Sequence, residues 1–413
     1  MKKHINIIVS WLFLLLLVIG VACKQSEIQE ETIPVPAPAP APEKDYLVEA
    51  KLLAELPQSI LQAMADSEGF PEIKKDIQYD VQVYHVTYLT TYKDQEIKAS
   101  GLLAVPKNYS GSLPILSGQH GTTFEQQDAP TNFPTVFSGF ELFASAGYLT
   151  VIPDYIGYGI SKDIFHPYYD QKHSALAVID LVKAAKSYAK KNQVALNDKL
   201  FLVGYSEGGY VTMAAQKEIE TNPAHGLKVT AAAAGAGGFD LTGMLSEISA
   251  DKPYSKPSYL AFILQSYNTV YSWNRPLTDF FREPYASQIP GLFNGIATAG
   301  TINRSLSTDP KALFNPEFYT TLKKANGESE LKKALVQNTI YTDWVPASPT
   351  KIYQGTEDQS VFFQNSKATY DKLIAAGAKD LEFIPIPGGT HSSSIEPMFM
   401  QVIRWFKSLK NNY

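Results

Sequence analysis

Beyond Tyr46 the chain alternates short apolar runs with amphipathic stretches. Leu113 to Leu116, Tyr148 to Ile152, Leu200 to Val203, Val229 to Ala234, Lys351 to Tyr353 and Leu381 to Ile386 are runs of strand length without a polar face. Such runs predict strands buried on both sides. Ahead of them, Tyr79, Val81, Val83, His85, Thr87 and Leu89 alternate. With Lys98 to Val105 they predict a strand pair joined near Lys93-Asp94-Gln95. Between the apolar runs, Ser174 to Lys190 sets Leu176, Ile179, Val182 and Ala185 on one helical face, and Pro397 to Leu409 repeats the pattern. Strand and helix in alternation imply a mostly parallel sheet covered on both faces. Functional loops then belong at the carboxyl ends of the strands.

Two segments break this rhythm. From 241 to 345 no central strand is expected, and aromatic residues accumulate, among them Tyr254, Tyr259, Phe262, Tyr267, Phe280, Phe281, Phe314 and Phe318. Leu260, Ile263, Tyr267 and Val270 have helical spacing, so a helical insertion packed largely on itself is predicted. Inserted between the last central strand and the strand bearing a catalytic acid, it would cap the site and shape an apolar pocket. The other exception is the beginning. Lys2 and Lys3 precede an apolar run from Ile5 to Ala22, the pattern of an export signal. Cys23 ends that run and is the only cysteine of 413 residues, so no disulfide forms within one chain. From Pro34 to Pro42 every second residue is proline. That composition favours polyproline II, a stiff spacer of roughly 3 Å per residue. The expected organisation is therefore a signal at 1–22, a tether at 23–45, a core at 46–240 and 346–413, and a cap at 241–345.

Net charge is −5 and no basic block stands out, which argues against a nucleic-acid partner. Nothing in the chain specifies an oligomer.

The strongest chemical signal is Gly204-Tyr205-Ser206-Glu207-Gly208, placed after an apolar run and before a helical pattern. Serine between glycines at such a turn is lifted out of the sheet as a nucleophile. A serine hydroxyl needs a base, and the base needs a carboxylate to hold its tautomer. Of seven histidines, His391 alone follows the acid-bearing strands, after Pro387-Gly388-Gly389-Thr390. Asp358 stands at the turn after Lys351-Ile352-Tyr353-Gln354-Gly355 and is preferred to the adjacent Glu357. Backbone N–H donors for an oxyanion are expected from Glu207 and from the loop Gln119-His120-Gly121-Thr122, with Thr122 first and Gly121 second. No second histidine or cysteine stands at ligand spacing near His120, so a metal is not expected.

Other residues carry weaker signals. Asp154 reads as a structural turn residue rather than a catalytic one. His166 and His173 either line a leaving-group pocket or anchor the loop before the Ser174 helix. Gly235-Ala236-Gly237-Gly238 lacks dinucleotide-fingerprint spacing and is expected to let backbone pass beneath the cap. Glu207 could disfavour anionic acyl groups, hold the cap, or complement a helix N-terminus.

These motifs give the chain a resemblance to the α/β-hydrolases, and within them to the secretory lipase and esterase group. The matching residues are Gln119-His120-Gly121-Thr122, Pro153-Asp154-Tyr155-Ile156-Gly157-Tyr158-Gly159, Gly204-Tyr205-Ser206-Glu207-Gly208-Gly209, the Gly355 to Asp358 turn and Gly389-Thr390-His391. The resemblance implies an α/β-hydrolase fold, Ser206, Asp358 and His391 as a triad, and neither metal nor organic cofactor. Leu15 to Cys23 likewise resembles a bacterial lipoprotein signal, with Cys23 as the lipidated residue of an exported, membrane-anchored protein. An uncleaved membrane anchor is the alternative there. The expected activity is hydrolysis of a small-molecule carboxylic ester with an apolar acyl or aromatic part. A serine peptidase on the same fold and a tethered binding protein that has lost catalysis are the competing readings.

Overall fold

The computed structural model describes residues 44–67 and 73–411. Cys23, the signal at 1–22 and nearly all of the tether lie outside the described residues. Nine strands form one sheet: β1 (Leu47–Leu56), β2 (Val81–Tyr92), β3 (Gln95–Pro106), β4 (Leu113–Gln119), β5 (Leu149–Pro153), β6 (Leu196–Tyr205), β7 (Ala231–Gly235), β8 (Thr350–Gly355) and β9 (Leu381–Ile386). Their spatial order is β1-β2-β3-β5-β4-β6-β7-β8-β9. β1, β2 and β3 pair antiparallel, β3 meets β5 antiparallel, and every pairing from β5 to β9 is parallel. The strand pair predicted around Lys93-Asp94 is the β2–β3 hairpin, with both turn residues at positive φ.

All six apolar runs form strands, the fourth starting later than expected at Ala231. β1 is an addition. Its sequence, Leu-Val-Glu-Ala-Lys-Leu-Leu-Ala-Glu-Leu, is rich in good helix formers. Pairing with β2 overrides that preference, through two register shifts along an edge strand that stays largely exposed.

Side chains alternate across the sheet with the strand period of two. Leu103, Ile115, Leu200, Leu202, Ala232 and Ala234 point to one face, where α3 (Gln171–Lys191), α4 (Glu207–Thr221) and α12 (Phe363–Ala375) pack. Leu102, Leu116, Phe201, Val203, Ala231 and Ala233 point to the other. There α1 (Gln58–Ser67), α2 (Glu141–Ser145) and α13 (Ile395–Asn411) supply Leu61, Phe143, Met398, Val402 and Phe406. α3 starts where Asp170 caps the amide of His173 at 3.1 Å, and Lys190 and Lys191 lie in its last turn.

Between β7 and β8 the chain is helical: α5 (Leu241–Ile248), α6 (Pro257–Val270), α7 (Tyr285–Leu292), α8 (Ala299–Ser305), α9 (Pro310–Leu313), α10 (Pro316–Leu322) and α11 (Ser329–Asn338). Part of its aromatic content packs on itself, Phe280 on Phe318 and Phe281 on Phe314. Another part faces the sheet domain: Phe262 of α6 contacts Phe124, Phe165, His166 and Tyr168. Tyr267 donates to the carbonyl of Tyr169 at 2.9 Å, and Tyr271 to Asp170 at 3.1 Å.

The turn from β6 into α4 leaves no room for side chains at its glycines. A Cβ on Gly204 would lie 2.2 Å from the carbonyl oxygen of Gly208, and one on Gly208 would lie 2.0 Å from that of Gln119. Gly209 is equally constrained, its Cβ position being 2.3 Å from the oxygen of Gly235. All of these neighbours are backbone, at the ends of β4 and β7 and in the first turn of α4, and cannot swing aside. Gly235 in turn has Met398 and Tyr205 against it, so the Gly235–Gly238 stretch serves the Ser206 turn as well as the helical segment, where Gly238 meets Met244.

Gly204→Ala or Gly208→Ala is therefore expected to cost about 3 kcal/mol or more in denaturant unfolding of the full chain. Gly291→Ala in α7, where a Cβ meets nothing within 4 Å, is expected to be neutral or to stabilise by up to about 1 kcal/mol. Equal losses at all three positions would refute the packing account.

Candidate active site

Ser206 occupies the turn at φ 60°, ψ −127°, a backbone conformation that residues with a side chain rarely adopt. Its amide donates to Gly235 O at 2.8 Å, and its carbonyl accepts from Gly209 N at 2.9 Å and Tyr210 N at 3.2 Å. The strain is thus held by hydrogen bonds on both sides. Gln119 secures the neighbouring strand end, accepting from Thr212 of α4 at 2.8 Å and donating to Ser117 at 2.6 Å.

Three side chains far apart in sequence converge here. His391 Nε2 lies 2.9 Å from Ser206 Oγ, and its Nδ1 lies 2.7 Å from Asp358 Oδ2. Asp358 is fully engaged otherwise: Oδ1 accepts from Ser360 N at 2.8 Å and Val361 N at 3.0 Å, and Oδ2 from Gln354 Nε2 at 3.0 Å. Four donors around one buried carboxylate fix its direction. Glu357, next to it, is exposed. With a carboxylate on Nδ1, that nitrogen carries the proton and Nε2 is free to accept from the serine hydroxyl.

Two supports of this line were not expected from sequence. Tyr205 donates from its hydroxyl to the carbonyl of His391 at 2.7 Å, with the two rings 5.3 Å apart. Gln354, at the end of β8, holds Asp358 from the sheet side. Both sit at strand ends, where only the pairing of β6, β7 and β8 brings them to the turns they hold.

The loop after β4 reaches the same place. A Cβ on Gly121 would come 3.5 Å from that of Ser206. His120 Nδ1 is 2.8 Å from Gly121 O, and its ring stacks on Tyr155, whose hydroxyl donates to His120 O at 2.8 Å. In a trans peptide C=O and N–H point opposite ways, so anchoring Gly121 O turns the Thr122 amide to the other side. Among the described residues, the amides of Gly121, Thr122 and Glu207 donate to no protein acceptor.

The remaining polar residues singled out from sequence are structural. Asp154 is buried, accepting from Ser100 Oγ at 2.6 Å and from Thr131 N and Oγ1 at 2.9 and 2.6 Å. His173 is bonded to Asp170 at 2.7 Å and accepts from Lys93 N at 3.1 Å, tying the β2–β3 hairpin to α3. His166 is buried with both ring nitrogens engaged, one of them by Glu207, so it anchors its loop and does not line the cavity at Ser206.

Above Ser206 lies a narrow cavity of about 80 Å³. α5 contributes Leu241, Met244, Leu245 and Ile248; α6 contributes Tyr259, Leu260, Ile263 and Leu264; α10 and α11 add Phe318, Leu322, Leu331 and Leu335. Polar atoms in the lining come from Ser206, Ser360 and the hydroxyls of Tyr168, Tyr169, Tyr254 and Tyr259. Burial raises the phenols of Tyr168 and Tyr169 well above the ordinary tyrosine range, so they remain uncharged. Among the described residues no cluster of histidine, cysteine or carboxylate side chains is arranged to hold a metal ion. No described helix is long and apolar enough to cross a membrane.

The family model for secretory lipases matches residues 140–409. A search of curated proteins finds no match. Among solved structures, a candidate hydrolase from Legionella pneumophila is 25% identical, with a TM-score of 0.81 over 89% of this chain and 99% of its own. The rice cell wall degrading esterase LipA from Xanthomonas oryzae is 25% identical, with a TM-score of 0.73 over 89% and 97%. Lipase A of Candida antarctica is 17% identical with a TM-score of 0.61 over 84% and 78%, a likeness of fold. With a mostly parallel sheet, a strained serine turn and a family match spanning most of its length, the chain belongs to the secretory lipase family and is a carboxylic ester hydrolase of the α/β-hydrolase type.

Proposed function

We propose that the protein is an exported serine esterase that works through an acyl-enzyme on Ser206. The observation that carries this reading is the hydrogen-bonded line from Ser206 through His391 to Asp358 beneath a largely apolar cavity. Ser206 Oγ attacks the ester carbonyl while His391 Nε2 takes its proton, and Asp358 stabilises the imidazolium. The oxyanion is received by the amides of Glu207 and Thr122, with Gly121 as the alternative donor. His391 then protonates the leaving alcohol, and water, deprotonated by the same nitrogen, releases the acid. Residues 241–345 act as a cap, and their aliphatic lining suits an acyl chain.

No carboxylate lines the cavity. An N-terminal ammonium group of a peptide would be left unpaired there, which favours the esterase over the peptidase reading. A non-catalytic binding role would not require Asp358 to be held by four donors. At the other end of the chain, Cys23 is proposed as the lipidated residue, with the Pro-rich stretch spacing the enzyme from a membrane.

Ser206→Ala is expected to lower turnover of nitrophenyl esters by roughly 10⁴- to 10⁶-fold and to abolish fluorophosphonate labelling, with Asp358→Asn losing about 10³- to 10⁴-fold. Near-normal rates in Ser206→Ala would sink the assignment. Leu335→Phe, which narrows the cavity, should cut kcat/KM for octanoate and decanoate esters about tenfold while changing acetate esters less than about threefold. Uniform loss along the ester series would mean that the acyl chain lies elsewhere. A clickable fatty acid should label the wild type in cells but not Cys23→Ser, and equal labelling of both would exclude lipidation at that residue.

A further inference from the structure

The residue after the nucleophile is an acid with a buried partner. Glu207 and His166 have side chains only 3% and 6% exposed, and His166 Nε2 lies 2.7 Å from Glu207 Oε1. The other ring nitrogen, Nδ1, lies 2.7 Å from the carbonyl oxygen of Ile156. A carbonyl can only accept, so Nδ1 carries a proton. The contact between Nε2 and the carboxyl group needs a second proton, placed either on the ring or on Glu207. Two surroundings decide between them. Glu207 opens α4, where the helix N-terminus favours a carboxylate, and the Ile156 carbonyl favours a positive ring. Imidazole is also the stronger base of the two.

The groups packed around the pair add no further charge. The loop at 154–168 contributes the rings of Tyr155, Tyr158 and Tyr168, 5.9, 5.1 and 6.0 Å from that of His166, and α6 contributes Phe262 at 5.8 Å. Burial keeps those three phenols protonated, so they are neutral at any working pH. Glu207 is thus a single carboxylate beside the serine, on the residue whose amide receives the oxyanion. Left uncompensated in a dry site, its charge would oppose the negative charge that develops there.

We propose that His166 is a positioning residue held as an imidazolium, cancelling the charge of Glu207 so that its amide can serve the oxyanion. This rests on the reading of Ser206 as an ester-cleaving nucleophile. Glu207 does not line the acyl cavity, and its place at the helix N-terminus is the one role expected from sequence that the pair retains.

Two measurements test it. In the full-length protein labelled with ¹⁵N-histidine, His166 should show the imidazolium pattern at neutral pH, with both ring nitrogens protonated. A single protonated nitrogen at neutral pH overturns the proposal without any appeal to activity. His166→Gln keeps a neutral donor at the Nε2 position and removes the charge. It should lower kcat for a nitrophenyl ester about 100-fold while KM changes less than about threefold. Adding Glu207→Gln, which leaves the backbone amide in place, should recover about tenfold of that loss. If His166→Gln loses less than about threefold, or the double variant is no faster than the single one, the charge-cancelling role is wrong. If His166→Gln does not fold, the ¹⁵N signature still decides. Failure of the nucleophile reading is separate, showing as ester turnover that survives Ser206→Ala.

Discussion

Everything at this site depends on how closely the first turn of α4 approaches the carboxyl ends of β4, β6 and β7. Gly204, Gly208 and Gly209 sit with neighbouring carbonyl oxygens where a Cβ would need to be. That approach pushes Ser206 into its strained conformation, with its amide tied to Gly235 and its hydroxyl turned out of the sheet. The same contacts set the Gln119–Gly121 loop against the serine. One packing constraint therefore positions both Ser206 and the amides nearest to it, and the strain is offset by hydrogen bonds in the surrounding strands and helix.

The histidine and its carboxylate depend on the parallel half of the sheet in the same way. β8 lies beside β7 and β9 beside β8, so the turns after them open on the same edge as the serine. Within those turns the geometry is locked by small residues and by donors. A Cβ on Gly355 would lie 2.3 Å from Gly389 O, pressing the Asp358 turn against the one that leads to His391. Tyr205 then reaches across from β6 to hold the His391 backbone. The helical segment between β7 and β8 contributes apolar walls, while its attachment to the sheet domain runs through Phe262, Tyr267 and Tyr271. The hydrogen-bonded line and the cavity thus come from different parts of the chain: the strand ends hold Ser206, His391 and Asp358, and the helices supply most of the apolar walls above them.

Much of this was legible in the amino-acid sequence, for identifiable reasons. Strands buried on both faces read as uninterrupted apolar runs, and six of them were found that way. Glycines flanking a serine announce a close approach whatever they pack against. The order serine, acid, histidine follows from strand order in this fold, so Ser206, Asp358 and His391 could be named before their distances were known. β1 could not be read, because an exposed edge strand made of Leu, Ala, Glu and Lys carries no strand signal of its own. Pairing with β2 alone makes it one.

What the sequence determined by itself is local: where backbone must be bare, which segments alternate or run apolar, and which residue types can perform acyl transfer. The tertiary structure decided what depends on direction and distance. It set Glu207 against His166, 41 residues away in the chain, and aimed Tyr205 and Gln354 at the turns that carry His391 and Asp358. It also gathered leucines from four separate helices around one narrow cavity. Composition cannot encode such meetings, because each is fixed by the packing of elements whose separation along the chain carries no information about their separation in space.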